Sequence, residues 1–207
     1  MTTTSTVHVA VYDTLADWET GLALAHINNG SHHREPGRFR TATVAERPGE
    51  VTTMGGVRIT PDVLLADLSP AGSAMLILPG ADTWNSGGNA AFARKAREFL
   101  DAGVPVAAIC GATGGLAAEG LLDSRRHTSN AAAYLAATGY GGAARYVEEP
   151  AVTDGDLITA SGTAPAPFAR EILARLGVYR PEVLASWYKL YGLNDPAGFY
   201  ELMAAGS

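Results

Sequence analysis

The stretch VPVAAICGATGG, residues 104–115, decides how the rest of the chain is interpreted. Residues 104–109 form an almost unbroken apolar run, which is typical of a strand buried on both faces in a parallel sheet. The run ends at Cys110, and the small residues after it permit a tight turn into a helix that continues through residues 116–118. The segment therefore predicts a central strand, a sharp bend at Cys110 and a helix.

Strand and helix patterns alternate on both sides of this stretch. Strands are predicted at residues 7–12, 39–45 and 74–78, with small hairpins at 51–59 and 151–159. Helices are predicted at residues 17–28, 90–102, 131–138, 165–176, 181–191 and 196–203. Such alternation favours an α/β fold with a mostly parallel sheet, helices on both faces and right-handed crossovers. A single domain spanning residues 1–207 is expected.

Composition argues against several classes of protein. The hydrophobic fraction of 47% and the charged fraction of 17% are ordinary for a folded chain. A net charge of −6 gives no global attraction to nucleic acid or to an anionic membrane, so neither is expected as a partner. The first six residues do not resemble a signal peptide, and one cysteine cannot form an internal disulfide, so a cytoplasmic location is expected.

Cys110 is the first candidate for chemistry. A lone cysteine is often a buried core residue, and that interpretation stands as the alternative. Its position favours function, because ligands of doubly wound folds bind beyond the carboxyl ends of the strands. The amide groups at the start of the following helix are expected to lower the pKa of the thiol.

Glu19 is the second candidate. It lies near the start of the first predicted helix, where a carboxylate is favourable to the helix dipole without any further role. A functional role requires the carboxyl to point at the thiol. The first strand and the strand before Cys110 are expected to be close enough for the two loops to meet.

Four segments together resemble the ThiJ/PfpI family, within the class I glutamine-amidotransferase-like superfamily. They are residues 17–20, 59–62, 78–81 and 107–113. The resemblance covers residues 6–176 and leaves 177–207 as a C-terminal helical extension. It implies a flavodoxin-like three-layer sandwich, a homodimer and a nucleophilic or redox-sensitive Cys110. It also implies a carboxylate partner at Glu19 and an oxyanion pocket from the N–H groups of Gly80 and Gly111.

The sequence departs from the family pattern at two positions. PfpI-like proteases carry a histidine directly after the cysteine, where this chain has Gly111. Other members place a histidine at the position that matches Asn130. A complete cysteine–histidine–acid triad is therefore not expected, and proteolysis is disfavoured. His127 is either a nearby polar group of the site or a histidine satisfied by its neighbours.

Other features are weaker. Asp82 and Trp84 follow the 78–81 segment and are expected beside the pocket mouth, with a tryptophan that covers apolar surface as the alternative. Adjacent His32 and His33 cannot easily share one metal ion, so no metal site is expected. No organic cofactor is implied.

These observations predict a cysteine-dependent small-molecule hydrolase or hydratase of the glyoxalase, deglycase or amidase kind. Cys110 as a thiolate would add to an electrophilic carbon, with a protonated Glu19 as general acid or base. Two alternatives remain open at this point. Cys110 could act as a redox sensor without turnover, or the chain could be a catalytically silent binding domain.

Overall fold

The strand that ends at Cys110 lies near the middle of a seven-stranded sheet. This computed structural model describes residues 4–205. The strands are β1 (Ser5–Ala10), β2 (Phe39–Ala45), β3 (Val51–Thr52), β4 (Arg58–Ile59), β5 (Val63–Leu64), β6 (Ser73–Leu78), β7 (Val106–Ile109), β8 (Ala151–Asp154) and β9 (Leu157–Ala160). The helices are α1 (Asp17–Asn28), α2 (Ala90–Asp101), α3 (Gly111–Ala118), α4 (Ala132–Ala136), α5 (Pro165–Leu176), α6 (Pro181–Leu193) and α7 (Ala197–Ala205).

The sheet has the order β5-β2-β1-β6-β7-β9-β8. All neighbouring pairs are parallel except β8 and β9, which form an antiparallel hairpin. Strands β3 and β4 form a separate small hairpin. The carboxyl ends of β1, β6, β7 and β9 therefore meet at one edge of the sheet, where a ligand site is expected in this architecture.

Helices cover both faces of the sheet. On one face, Phe92 and Phe99 of α2 pack with Leu116 of α3 against the strands. On the other face, α1 packs against α5, and α5 against α6, around a second core that includes Trp187. The predicted three-layer, single-domain α/β fold is confirmed. Within residues 4–205, none of the helices is long and apolar enough to cross a membrane.

The differences from the sequence prediction are local. β7 begins at Val106, because Pro105 interrupts the apolar run that starts at residue 104. β5 was not predicted, since it contains only two residues at the edge of the sheet. His127 lies outside the named strands and forms a single bridge to Tyr146.

Candidate active site

Cys110 stands at a sharp bend between β7 and α3. Its backbone has φ 58° and ψ −125°, a region that residues with a side chain rarely adopt. The Cys110 N–H donates to Ala160 O at 3.0 Å, which continues the pairing with β9 up to the bend. Cys110 as a residue is partly exposed. The predicted bend is confirmed, and it lifts the sulfur out of the sheet toward the carboxyl edge.

Glu19 points toward this sulfur from the first turn of α1. Its side chain is fully buried, and Oε2 accepts a hydrogen bond from the Gly80 N–H at 2.5 Å. Oε1 is buried without a hydrogen-bond partner of ordinary geometry. The Cys110 thiol interacts with the same carboxyl and is the polar group that faces it. The Glu19 carboxyl therefore points at the thiol, which is the geometry that a functional role of this residue requires.

Two glycines allow the carboxyl and the thiol to approach each other. A Cβ on Gly80 would lie 2.7 Å from Cys110 Cβ and 2.9 Å from both Glu19 carboxyl oxygens. A Cβ on Gly162 would lie 2.7 Å from Cys110 Sγ and 3.1 Å from Glu19 Oε1. Any other residue at either position would displace the reacting groups.

The structure corrects the role expected of Gly80. Its N–H was predicted to bind an oxyanion, but it donates to Glu19 Oε2 instead. The Gly111 N–H, by contrast, faces the sulfur and favours its ionised form. Gly111 is therefore the backbone donor that remains next to the reacting atom.

Asn130 is the side chain that contacts the sulfur directly. Its Nδ2 donates to Cys110 Sγ at 3.2 Å, and its Oδ1 accepts from the Gly162 N–H at 2.9 Å. Because a backbone N–H can only donate, the second bond fixes which end of the amide faces the thiol. Asn130 thus lies beside the sulfur at the position where, by the resemblance stated above, other family members carry a histidine.

The electrostatics of the pair differ from the prediction. Burial raises the pKa of the Cys110 thiol, and the Glu19 carboxyl raises it further, while the Asn130 and Gly111 donors act in the opposite direction. The prediction of a low thiol pKa is therefore wrong, because it considered the helix amides and left out desolvation. Burial also raises the pKa of the Glu19 carboxyl, against the effect of the Gly80 N–H. The raised carboxyl pKa agrees with the expectation that this group is protonated more readily than an ordinary glutamate.

The sulfur opens into a cavity of about 120 Å³. Besides Cys110, Glu19 and Asn130, its lining includes Trp18, which precedes Glu19 in α1, and Met54, Asp82 and Tyr134 from three other segments. Among the described residues around this cavity there is no histidine. Within residues 4–205, no cluster of three or more His, Cys, Asp or Glu side chains is placed to hold a metal ion.

The β3–β4 hairpin closes one side of this cavity. The Asp17 carboxylate accepts hydrogen bonds from Thr53 Oγ1 at 2.5 Å and from the Gly55 N–H at 2.7 Å. These bonds tie the hairpin to the start of α1, so that Met54 lies at the cavity. Trp18 lies there too, with its indole N–H donated to Gly162 O at 2.9 Å.

Two predicted pocket residues lie elsewhere. The Trp84 indole N–H donates to Pro79 O at 2.9 Å, and its ring packs so closely on Gly115 that a Cβ there would lie 2.1 Å from it. Trp84 therefore covers apolar surface beneath α3, which was the alternative interpretation. His127 is fully buried, with Nδ1 at 2.8 Å from Arg125 O and Nε2 at 3.0 Å from Tyr140 Oη. It is a histidine satisfied by its neighbours.

Sequence reasoning missed Trp18, Met54, Tyr134 and Gly162 as site residues. Gly162 could have been found, because it follows β9, the strand next to β7, at the same carboxyl edge. Trp18 could have been suspected on weaker grounds, because it directly precedes Glu19 in the chain. Met54 and Tyr134 reach the cavity through long-range packing, for which the sequence carries no local mark.

The fold and the site together define the class of this protein. It is a flavodoxin-like α/β domain with a cysteine at the strand-to-helix bend that faces a buried carboxyl. The comparison with known families agrees with that class. The model of the DJ-1/PfpI family matches residues 5–175, and the chain belongs to that family. The resemblance stated from the sequence is confirmed.

Relatives match nearly the whole chain. The uncharacterized protease YoaZ of Bacillus subtilis is 40% identical over 203 residues, 97% of each chain. A thiJ/pfpI family protein from Bacillus anthracis superposes with a TM-score of 0.90 at 38% identity, covering 99% of this chain and 98% of that one. The DJ-1 superfamily protein Atu0886 from Agrobacterium tumefaciens gives a TM-score of 0.81 at 33% identity, covering 92% and 99%.

Proposed function

We propose that this protein is a small-molecule enzyme in which the Cys110 sulfur adds to an electrophilic carbonyl carbon, with 2-oxoaldehydes as the substrates to test first. The observation that carries the proposal is the set of contacts around the sulfur: one fixed amide donor from Asn130 and one buried carboxyl from Glu19. An amide donor stabilises the anionic sulfur, and a carboxyl whose pKa is raised by burial holds a proton at higher pH than an ordinary glutamate, so it can both accept and return one.

The reaction balances without an oxidant or a cofactor. Glu19 takes the thiol proton as Sγ bonds to the aldehyde carbon, and it returns that proton to the former carbonyl oxygen. The carboxylate then moves the proton from the aldehyde carbon to the neighbouring carbon, while the hydroxyl proton passes to the adjacent oxygen. The product is a thioester of a 2-hydroxy acid, and water cleaves it to release the acid and restore the thiol.

The size of the cavity supports a small substrate. A cavity of about 120 Å³ next to the sulfur has room for a small molecule. This suits the smallest 2-oxoaldehydes, amides or isonitriles.

Proteolysis has weaker support, although the similar Bacillus subtilis protein is named an uncharacterized protease. A leaving amine must be protonated as the peptide bond breaks, and an imidazole usually supplies that proton. Here Asn130 holds the corresponding place beside the sulfur and has no titratable proton.

The test is turnover of methylglyoxal by the purified protein, with loss of substrate and formation of lactate both measured. Cys110→Ala should abolish turnover. Glu19→Gln should keep Cys110 reactive toward iodoacetamide but reduce turnover by about 100-fold or more, since general acid and base catalysis contributes at least that much. Wild-type protein that is alkylated at Cys110 but turns over none of the aldehydes, amides and isonitriles would overturn the proposal.

A redox role is the second candidate, favoured by one observation. Glu19 Oε1 is buried beside the thiol without a hydrogen-bond partner, so a protonated carboxyl can donate to an oxygen added to the sulfur. Mild peroxide should then add two oxygen atoms to Cys110, which intact mass detects. In Glu19→Leu this two-oxygen form should not accumulate, because Cys110 either stays unoxidised or gains a third oxygen atom.

We also propose a homodimer, which sedimentation at low and high protein concentration tests directly.

A further inference from the structure

A second cavity adjoins the one that opens at the Cys110 sulfur. Its volume is about 370 Å³, and the larger side chains that line it are Trp84, Asn85, Glu119, Tyr134 and Thr138. Asn85 and Tyr134 line the cavity at the sulfur as well. The two cavities are therefore neighbours, with these two side chains at the boundary between them. The smaller one is termed the catalytic cavity and the larger one the side cavity.

One face of α3 runs along both cavities. Gly111 lines the catalytic cavity. The side cavity is lined by Gly114, Gly115 and Ala118, which follow Gly111 at the spacing i+3, i+4 and i+7 of a single helix face. Gly115 lies one turn beyond Gly111, on the order of 6 Å along the axis. This is about the length of a two-carbon carbonyl chain that carries a phenyl ring, so such a ring can reach the side cavity from the sulfur.

Two aromatic rings border this face of α3. A Cβ on Gly115 would lie 2.1 Å from the Trp84 ring, and a Cβ on Gly114 would lie 2.9 Å from the Tyr134 ring. The glycines therefore allow both rings to lie against the helix. Flat aromatic walls next to small side chains suit a planar apolar group.

The charge in the side cavity does not call for an ionic ligand. Among the described residues that line it, Glu119 is the charged one. The Glu119 carboxylate lies 3.9 Å from the guanidinium groups of both Arg94 and Arg97. Because opposite charges at this distance offset one another, an uncharged group is the better match.

One long hydrogen bond crosses the boundary between the two cavities. Tyr134 Oη donates to Asn85 Oδ1 at 3.2 Å, with Gly111 O as an alternative acceptor at 3.3 Å. Asn85 is exposed, so its amide can bond water when this contact breaks. An intramolecular hydrogen bond that water replaces contributes little to stability. A substituent can therefore pass between these side chains at a small cost.

From these features we infer that the side cavity holds a planar apolar substituent of the substrate, so that aryl-substituted 2-oxoaldehydes such as phenylglyoxal are preferred over methylglyoxal. The identity of the reacting group rests on the proposed function, whereas the place of the substituent does not. The carbonyl carbon lies at Cys110 in the catalytic cavity, and the ring extends along α3 toward Ala118. Burial of the ring should favour the aryl compound by about tenfold.

The experiment compares the rates at which iodoacetamide and its N-phenyl derivative alkylate Cys110 in the whole protein. The two reagents have the same reactive carbon, and only the second has a ring. Each rate is divided by the rate with glutathione, which removes the difference in intrinsic reactivity. The ratio should favour the phenyl reagent by about tenfold. Cys110 is the one cysteine of the chain, so intact mass follows its alkylation without any need for turnover.

Matched variants locate the ring. Ala118 is exposed at the end of α3 and lines the side cavity, so Ala118→Phe should fill that cavity. The preference for the phenyl reagent should then fall about tenfold, while the iodoacetamide rate stays as in the wild type. Ala118→Leu, with a smaller side chain, should change the preference in the same direction. Ala136→Phe is the control, because Ala136 is exposed at the end of α4 and is not part of the described lining of either cavity.

Turnover gives a second measurement that separates this inference from the proposed function. The kcat/KM of the wild type should be about tenfold higher for phenylglyoxal than for methylglyoxal, and Ala118→Phe should lower the phenylglyoxal value alone. Loss of turnover for both aldehydes, with the alkylation preference present, would overturn the proposed function and support the side cavity as a binding site. Equal alkylation ratios for the two reagents in the wild type, or a preference kept in both Ala118 variants, would overturn this inference.

Discussion

Gly162→Ala is the sharpest test of the site geometry. The added Cβ would lie 2.7 Å from Cys110 Sγ, whereas nonbonded heavy atoms normally stay about 3.5 Å or more apart. The backbone of Gly162 does not have positive φ, so the methyl group causes the conflict and backbone strain does not. Relief requires a displacement of roughly 0.8 Å, either of the sulfur or of the segment that carries Gly162.

Either displacement damages the site. Movement of the sulfur changes its position relative to Glu19 and Asn130, and movement of the segment strains the Gly162 N–H bond that orients Asn130. A misplacement on the order of 1 Å costs about 100-fold in rate. Overpacking of this kind costs about 1–3 kcal/mol of stability. For a chain of this length, each kcal/mol lowers Tm by about 2–4 °C.

Three measurements follow the variant: turnover of the aldehyde, the rate of Cys110 alkylation by iodoacetamide, and Tm. The alkylation rate reports on the sulfur even if no substrate is turned over. Gly21→Ala is the control, because Gly21 lies in α1 with nothing within 4 Å of an added Cβ. Alanine in a helix should raise stability by up to about 1 kcal/mol there. Wild-type alkylation and Tm in Gly162→Ala would refute the close approach of Gly162 and Cys110.

Three further predictions concern protons. Glu19→Gln should lower the pKa of the Cys110 thiol, measured by thiolate absorbance against pH, because the carboxyl raises it; an unchanged titration would contradict their contact. Asn130→Leu should raise the pKa of the Cys110 thiol, because the hydrogen-bond donor to the sulfur is lost. Asn130→Asp is not a suitable control, since it adds a charge beside the sulfur. Burial raises the folded-state pKa of Glu19, so its contribution to stability is full below the ordinary value of 4.5 and is lost as pH rises toward the folded pKa. The Tm of Glu19→Gln relative to wild type should therefore increase as the pH rises above the ordinary value of 4.5, and a constant difference would refute the raised pKa.

The sequence could predict what local pattern determines. The apolar run before Cys110, the small residues after it and Gly103 after α2, which has φ 71°, each specify backbone geometry through neighbours in the chain. The pairing of Cys110 with Glu19 was predictable in outline, because parallel strands bring their carboxyl ends to one edge. The observed sheet places only β6 between the two strands concerned.

The rest depends on contacts between distant loops. Whether Gly80 offers its N–H to a substrate or to Glu19 depends on where α1 begins relative to β6, which no local pattern records. Trp84 was predicted at the pocket mouth from its place in the chain, but its indole has an acceptor at Pro79 O and packs beneath α3. The direction of the thiol pKa was wrong for a related reason, since burial is a property of the assembled site.

The absence of an imidazole beside the sulfur restricts the chemistry of this cavity. Asn130 can hold an anionic sulfur but can neither take nor give a proton, so within the described cavity Glu19 is the proton carrier in contact with the thiol. One carboxyl serves best when the proton it removes returns to the same substrate, as in addition and isomerisation of a carbonyl compound. A reaction that must expel an amine needs a second proton source on the far side of the sulfur. A substrate panel should therefore rank 2-oxoaldehydes above peptides, and the reverse order would mean that a second group of the cavity lining, such as Asp82 or Tyr134, supplies a proton.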